Sequence, residues 1–242
     1  MRPPMQLKTV IFDLDDTLYT DWDTCHRAGL AEVGAYGAAR LGLTVQETVR
    51  AFLSGREAAI RQLGPVGSSH NRTLFAQLAL EQIGINPVPH AENLHGAYWR
   101  GVFAAMALEP AIPHLLTELR AAGIRTAVCT NMMADIQMRK LVALGLDEAF
   151  DCFVSSEEAG VDKPDPEIFR YTLRKAGGTE AEAMMVGDTY PHDIVGAQNA
   201  GIAALWINRK GAPLPPDAQA PAYEVRSVEE AAQVLYGLLP GQ

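Results

Sequence analysis

From Pro110 onward the chain alternates short apolar runs with helical segments, and that alternation restricts its fold more than any other feature. A helix ending at Gly123 is followed by a strand, Ile124 to Cys129, and by a helix running through Ala134 to Leu144. The unit recurs as strand Asp151 to Val154, helix Pro166 to Ala176, strand Ala183 to Val186, helix Pro191 to Ala200 and strand Ile202 to Ile207. Strands alternating with helices imply right-handed crossovers, and therefore a parallel sheet covered by helices on both faces. One more strand belongs to this sheet: Lys8-Thr9-Val10-Ile11-Phe12-Asp13, a β-branched and aromatic run suited to burial on both sides.

Between that first strand and the alternating region the pattern changes. From Asp21 to about Ala105 the residues read as helices, roughly four, broken by Gly64 to Ser69 and by Gly84 with Pro87 and Pro89. Thr44-Val45-Gln46-Glu47 is a capping box, with Val45, Val49, Phe52 and Ile60 following as a buried stripe. Asp165 before Pro166 marks a helix start, because Asp caps and Pro is tolerated at the first helical position. Ser227-Val228-Glu229-Glu230 opens a last helix that buries Val228, Ala231, Leu235 and Leu239, after a Pro/Ala-rich loop from Gly211 to Pro221. The organisation is one strand, a helical insert at 19–105, and the remainder of an α/β unit, so that 1–18 and 106–242 form the core.

The overall charge removes one class of function. With 20 basic and 29 acidic residues the net charge is −9, too acidic for a bulk nucleic-acid partner, whose binding depends on Lys and Arg displacing counterions. No run of about 18 apolar residues is present, so no membrane span is expected. The N-terminus, Met-Arg-Pro-Pro-Met-Gln-Leu-Lys, has no apolar core of the kind a secretion signal requires. Cys25, Cys129 and Cys152 are odd in number and lack zinc or disulfide spacing, so a reducing cytoplasm is the expected setting.

Ligands of an open parallel sheet bind beyond the carboxyl ends of its strands. The first strand runs into Asp13-Leu14-Asp15-Asp16-Thr17, the second into Thr130-Asn131, and the fourth into Gly187-Asp188 with Asp193 beyond; Lys163 precedes the Asp165 cap after the third. All four segments converge on one sheet edge. Carboxylates so gathered repel unless a divalent cation lies among them, and all-oxygen donors suit Mg²⁺. A lysine and a hydroxyl facing that ion suit phosphoryl oxygens, with one carboxylate as nucleophile.

These four motifs, in this order and spread over nearly the whole chain, resemble those of the haloacid dehalogenase superfamily of phosphohydrolases. The resemblance implies a Rossmann-like three-layer α/β core with an inserted α-helical cap of the C1 type. The insert resembles the cap of the subfamily that includes phosphoglycolate and N-acylneuraminate phosphatases, and the stretch Ser155 to Pro166 is particularly similar to the latter group. It implies Asp13 as nucleophile and Asp15 as general acid, then base. Thr130, Asn131 and Lys163 would lie at the phosphoryl group. Asp13, the main-chain carbonyl of Asp15, and Asp188 would ligate Mg²⁺, with Asp193 a further ligand through water or an orienting partner. Asp16 and Thr17 shape the turn.

Within the superfamily, dehalogenases carry a non-acidic residue where this chain has Asp15, since halide leaves without a proton. A phosphonatase needs a cap lysine, and Thr20 to Ala105 contains none. A Mg²⁺-dependent phosphomonoesterase acting on a small phosphorylated metabolite is the reading that fits, as a monomer or homodimer. A sugar-phosphate mutase and a non-catalytic phosphate-binding regulator are the alternatives. The insert would select the substrate, through Trp22, His26 and Arg72, with Tyr98, Trp99 and Arg100 as further contacts.

Overall fold

The structure is a computed structural model that describes residues 6–19 and 21–239. Met1–Met5, part of the stretch on which a leader is not expected, lie outside the described residues. The chain divides into two units, one within Met1–Thr20 and Leu108–Gln242, the other Asp21–Ala107.

In the first unit a six-stranded, wholly parallel sheet has the order β3-β2-β1-β4-β5-β6. Its strands are β1 (Thr9–Phe12), β2 (Arg125–Thr130), β3 (Cys152–Ser155), β4 (Ala183–Gly187), β5 (Ala203–Ile207) and β6 (Tyr223–Val225). The central strand β1 is buried at every position, and each of Val10, Ile11 and Phe12 contributes roughly 1.5–3 kcal/mol by leaving water. Side chains alternate across the sheet. Ile11, Ala127, Cys129, Val154 and Met185 pack with Ile168, Phe169 and Leu173 of α8 (Pro166–Ala176) and with Ala197 of α9 (Val195–Asn199). The opposite face is covered by α5 (Ile112–Ala121), which packs on β2, and α10 (Val228–Tyr236), which packs on β5. The result is three layers, as the strand–helix alternation implies. Two further helices, α6 (Ala134–Ala143) and α7 (Ser156–Ala159), follow β2 and β3.

The caps behave as their chemistry dictates. The Asp165 side chain accepts from Glu167 N with Pro166 inside the first turn, and Ser227 accepts from Glu230 N. The segment expected as a helix from Pro191 is a π-helical turn, Tyr190–Ile194, running into α9. Strand β6 and helix α7 have no counterpart in the sequence reading. Three residues and four residues are too short for a periodic signal.

The second unit holds α1 (Trp22–Arg40), α2 (Val45–Leu63), a 3₁₀ turn at Gly67–His70, α3 (Arg72–Gln82) and α4 (Ala91–Ala105). The capping box at Thr44 and Glu47 is formed. Of the stripe expected on α2, Phe52 is buried, but Val45 is 48% and Ile60 36% exposed. Beside Phe52 the helix turns Thr48, Gly55 and Ala59 inward. Small side chains win that face because α3 approaches so closely that a Cβ on Gly55 would lie 2.1 Å from the Phe75 carbonyl oxygen. Among the described residues no helix is long and apolar enough to cross a membrane.

Candidate active site

The chain leaves β1 toward β2 and β3 on one side of the sheet and toward β4, β5 and β6 on the other, so the carboxyl end of β1 is a topological switch point. Asp13 stands there, its N–H bonded to the Val186 carbonyl of β4 at 2.9 Å. The loop beyond turns sharply at Asp16, whose φ of 56° is a left-handed conformation that Asp tolerates better than most residues. Thr17 directs its hydroxyl at Asp13 Oδ2, 3.4 Å away. The expectation that Asp16 and Thr17 build the turn agrees with this geometry.

Lys163 is buried between two carboxylates. Its Nζ lies 2.5 Å from Asp13 Oδ1 and 2.6 Å from Asp193 Oδ1, with 3% of its side chain exposed. Burial opposes its charge, but Asp13 and Asp193 outweigh that and hold the ammonium above the ordinary lysine range. The backbone beneath it is braced: Asn131 Nδ2 donates to the Lys163 carbonyl at 3.1 Å, Asn131 Oδ1 accepts from Lys163 N at 2.7 Å, and His192 Nδ1 meets the same carbonyl at 2.9 Å. Both polar atoms of the Asn131 side chain thus bond to the Lys163 backbone. Asp193 is similarly fixed, since its Oδ2 accepts from Thr189 N at 2.9 Å. Asp193 thus contacts Lys163 through Oδ1 and the Thr189 backbone through Oδ2.

Asp13, Asp188 and Asp193 each offer an oxygen within 4.8 Å of the others. Burial pushes Asp13 up to about 7, with Lys163 opposing and the charges of Asp193 and Asp15 adding to the rise. Burial together with Asp193, Asp13 and Asp16 pushes Asp188 up to about 8. Both shifts express first the burial of a charged group and then its crowding by other carboxylates. An oxygen-only donor set that resists ionisation without a counter-charge suits a hard divalent cation such as Mg²⁺.

Asp15 faces a different environment. Lys140 Nζ lies 2.5 Å from its Oδ1, and the Tyr19 hydroxyl donates to the same oxygen. Gln137 Nε2 donates to Oδ2 at 3.1 Å and also to Thr130 Oγ1 at 2.5 Å. Burial favours the neutral acid here too, but the Lys140 charge and the bonds from Lys140, Tyr19 and Gln137 prevail and hold Asp15 below the usual carboxylate range. The Asp15 side chain remains 28% exposed, whereas Lys140 is completely buried.

Gln137 and Lys140 are absent from the sequence reading. The signal for them is a mixed buried face: α6 buries Gln137 and Lys140 beside Ile136 and Leu141, while Met138 (50%) and Val142 (63%) are exposed. A glutamine and a lysine buried one turn apart have something polar to hold.

A family model for haloacid dehalogenase-like hydrolases matches residues 7–201, which takes in every carboxylate and lysine just described. The chain belongs to the haloacid dehalogenase-like hydrolases. Ribulose-1,5-bisphosphate 5-phosphatase of Halopiger xanaduensis is 36% identical over 202 residues, covering 82% of this chain and 84% of its own. Glyceraldehyde 3-phosphate phosphatase of Methanopyrus kandleri is 34% identical over 208 residues, 84% of each chain. Among solved structures, a 2-haloacid dehalogenase of Pseudomonas syringae matches with a TM-score of 0.78 at 27% identity, covering 96% of this chain and 99% of that one.

The helical unit of this hydrolase gathers Trp22, His26 and Arg72 into one aromatic cluster. Trp22 and His26 stack with ring centres 6.0 Å apart, and His26 Nδ1 meets the Tyr98 hydroxyl at 2.7 Å. The Arg72 guanidinium lies 4.9–5.9 Å from the ring centres of Trp99, Tyr98, Phe75 and Trp22. Burial, with Arg72 and Arg56 nearby, lowers the His26 pKa. Tyr98 and Trp99, considered above as ligand contacts, are completely buried and so are packing residues.

Proposed function

We propose that this chain is a Mg²⁺-dependent phosphomonoesterase that hydrolyses a small phosphorylated metabolite through an aspartyl-phosphate. One observation carries the reading: two carboxylates two residues apart, Asp13 and Asp15, each paired with its own lysine. A nucleophile paired with a separate acid/base is what phosphate-ester cleavage requires, because an alkoxide leaves poorly without a proton. Displacement of halide needs no second carboxylate, so Asp15 favours the phosphatase over the dehalogenase chemistry. The phosphatase names of the two relatives, both for sugar- or triose-phosphate substrates, support the same class.

In this mechanism a carboxylate oxygen of Asp13 attacks phosphorus and the ester P–O bond breaks. Asp15, which must first take up a proton against the pull of Lys140, gives it to the departing oxygen. Water then adds to phosphorus, giving its proton to Asp15, and the bond between Asp13 and phosphorus breaks to release inorganic phosphate. Lys163 and Thr130 hold the transferring oxygens, and Asp193 and Asn131 keep Lys163 in place. Asp13, the Asp15 carbonyl and Asp188 would hold Mg²⁺, which would supply the positive charge that nucleophile and phosphate together require. Trp22, His26 and Arg72 are the proposed contacts to the rest of the substrate.

The test is phosphate release from a panel of sugar, triose and nucleoside monophosphates with Mg²⁺ present. We expect release from at least one class, its loss in excess chelator, and a fall of several orders of magnitude in Asp13→Asn with the fold retained. Unchanged hydrolysis by that variant overturns the mechanism.

A further inference from the structure

Lys140 is a fully buried lysine 125 positions from the carboxylate it meets, on a helix whose sequence shows no phosphate-binding motif. Its partner set accounts for its place. Asp15 Oδ1 receives both the Lys140 ammonium and the Tyr19 hydroxyl, while Oδ2 receives the single bond from Gln137. Gln137 and Lys140 are one turn apart on the same face of α6, and Gln137 also reaches Thr130 Oγ1 and the Asn131 carbonyl. The three donors fix the plane of the Asp15 carboxylate from two sides. They also make its oxygens unequal: Oδ1 has two donors, one of them charged, whereas Oδ2 has one neutral donor and retains lone-pair capacity.

We propose that Lys140, with Gln137, is a positioning residue for the acid/base step: it locks Asp15 so that Oδ2 is the oxygen that exchanges the proton. The inference rests on the phosphomonoesterase reading. When the ester bond breaks, the proton on Oδ2 passes to the leaving oxygen as the new bond from Asp13 to phosphorus forms. When water attacks, its proton returns to Oδ2 as that bond breaks. Gln137 can donate to Oδ2 throughout, because a protonated carboxyl oxygen still accepts a hydrogen bond. Lys140 transfers no proton; it denies Oδ1 that role and holds the group against rotation. Conversion to Arg is not conservative in this site, because a planar fork cannot reproduce one buried point charge.

This role has a signature that simple structural damage lacks. A positioned acid contributes on the order of 10²–10⁴-fold when the leaving group is an alkoxide, and little when it is a stabilised phenolate. The experiment is pre-steady-state release of the leaving group from p-nitrophenyl phosphate and from an alkyl monophosphate that the wild type hydrolyses. Both are measured in wild type, Lys140→Met, Gln137→Met, Asp15→Asn and Lys140→Met/Asp15→Asn. Lys140→Met should slow the alkyl ester at least 30-fold and the aryl ester less than threefold. Its effect on the alkyl ester should vanish in the Asp15→Asn background, as expected for residues acting as one unit.

An equal loss on both esters, or a full loss retained on top of Asp15→Asn, overturns the positioning role. If Lys140→Met does not fold, judged by its melting transition, Gln137→Met carries the same comparison with the same leaving-group contrast expected and the same refuting outcome. A wild type that releases no leaving group from any monoester overturns the phosphatase reading itself, which keeps the two failures distinct.

Discussion

Replacing Lys163 by Met should unlock the carboxylate cluster, and the expected size follows from its surroundings. The lysine makes two charge-assisted contacts, 2.5 Å to Asp13 and 2.6 Å to Asp193, with side-chain exposures of 3%, 9% and 1%. Methionine matches the aliphatic stem, so little packing is lost. What changes is that two carboxylates lose their shared counter-charge in a site almost without water. Removing one member of a buried pair costs about 3–5 kcal/mol. For a chain of this size that lowers the melting temperature by roughly 6–20 °C.

The loss should also depend on pH. Asp13 sits at about 7 even with Lys163 opposing the rise, so deleting the lysine pushes it higher. An acid whose folded pKa lies above its unfolded value stabilises the protein while protonated, and that contribution is lost as pH climbs from the unfolded value through the folded one. The gap between wild type and variant should therefore be smallest near pH 5 and widest near pH 8. Urea unfolding followed by circular dichroism, in chelator, at both pH values measures it. A loss below about 1 kcal/mol at pH 8, or one independent of pH, refutes the account of Lys163 as the counter-charge of this cluster.

Three further outcomes follow from the same structure. Burial raises Asp13 to about 7 and Asp188 to about 8, both from 3.8, so the metal-free protein should lose stability as pH rises from about 5 to 8. Added Mg²⁺ should accordingly raise the melting temperature more at pH 8 than at pH 5.5, and equal shifts at the two pH values would count against Asp13 and Asp188 as ligands. Gly187→Ala places a Cβ 2.4 Å from Asp193 Oδ2 and 2.6 Å from Asp193 Cβ. The displaced Asp193 should release Lys163 and lower kcat at least tenfold, about what an ångström-scale misplacement costs; unchanged kcat would show that Asp193 does not order Lys163. Gly55→Ala should destabilise the helical unit by about 1–3 kcal/mol through overpacking, despite the gain of roughly 1 kcal/mol that Ala brings to a helix. A calorimetric transition for that unit that moves upward would contradict the 2.1 Å approach to the Phe75 carbonyl.

The parallel sheet and the four site segments were legible because each rests on a local signal: an apolar run, a cap, or an acid after a strand. Asp165 and Pro166 place the start of α8 to the residue. Legibility failed where tertiary contact overrides local pattern. On α2 the apolar stripe of Val45 and Ile60 is half outside, because helix approach selects Gly55 and Ala59 instead. Arg72, which resembles a surface arginine in sequence, is 6% exposed. No single-residue propensity predicts that four aromatic rings will surround it.

The sharpest failure, α6, also explains how an acidic chain makes a site for an anion. The net charge of −9 is set against any bulk anionic partner, and the site concentrates that problem: Asp13, Asp15, Asp188 and Asp193 carry −4 when ionised. Lys163 and Lys140 supply +2 from opposite sides, leaving −2, the charge that one divalent cation neutralises. The two lysines are not interchangeable in that balance. Lys163 is the counter-charge beside Asp13, which resists ionisation, whereas Lys140 belongs to Asp15, which is held below the usual carboxylate range. Dividing the positive charge in this way separates two neighbouring aspartates into a group that requires an additional cation and a group that does not. A sequence scan for acids at strand ends finds both aspartates alike. The partners distinguish them: Lys163 at Asp13, and at Asp15 the buried Lys140 with Tyr19 and Gln137.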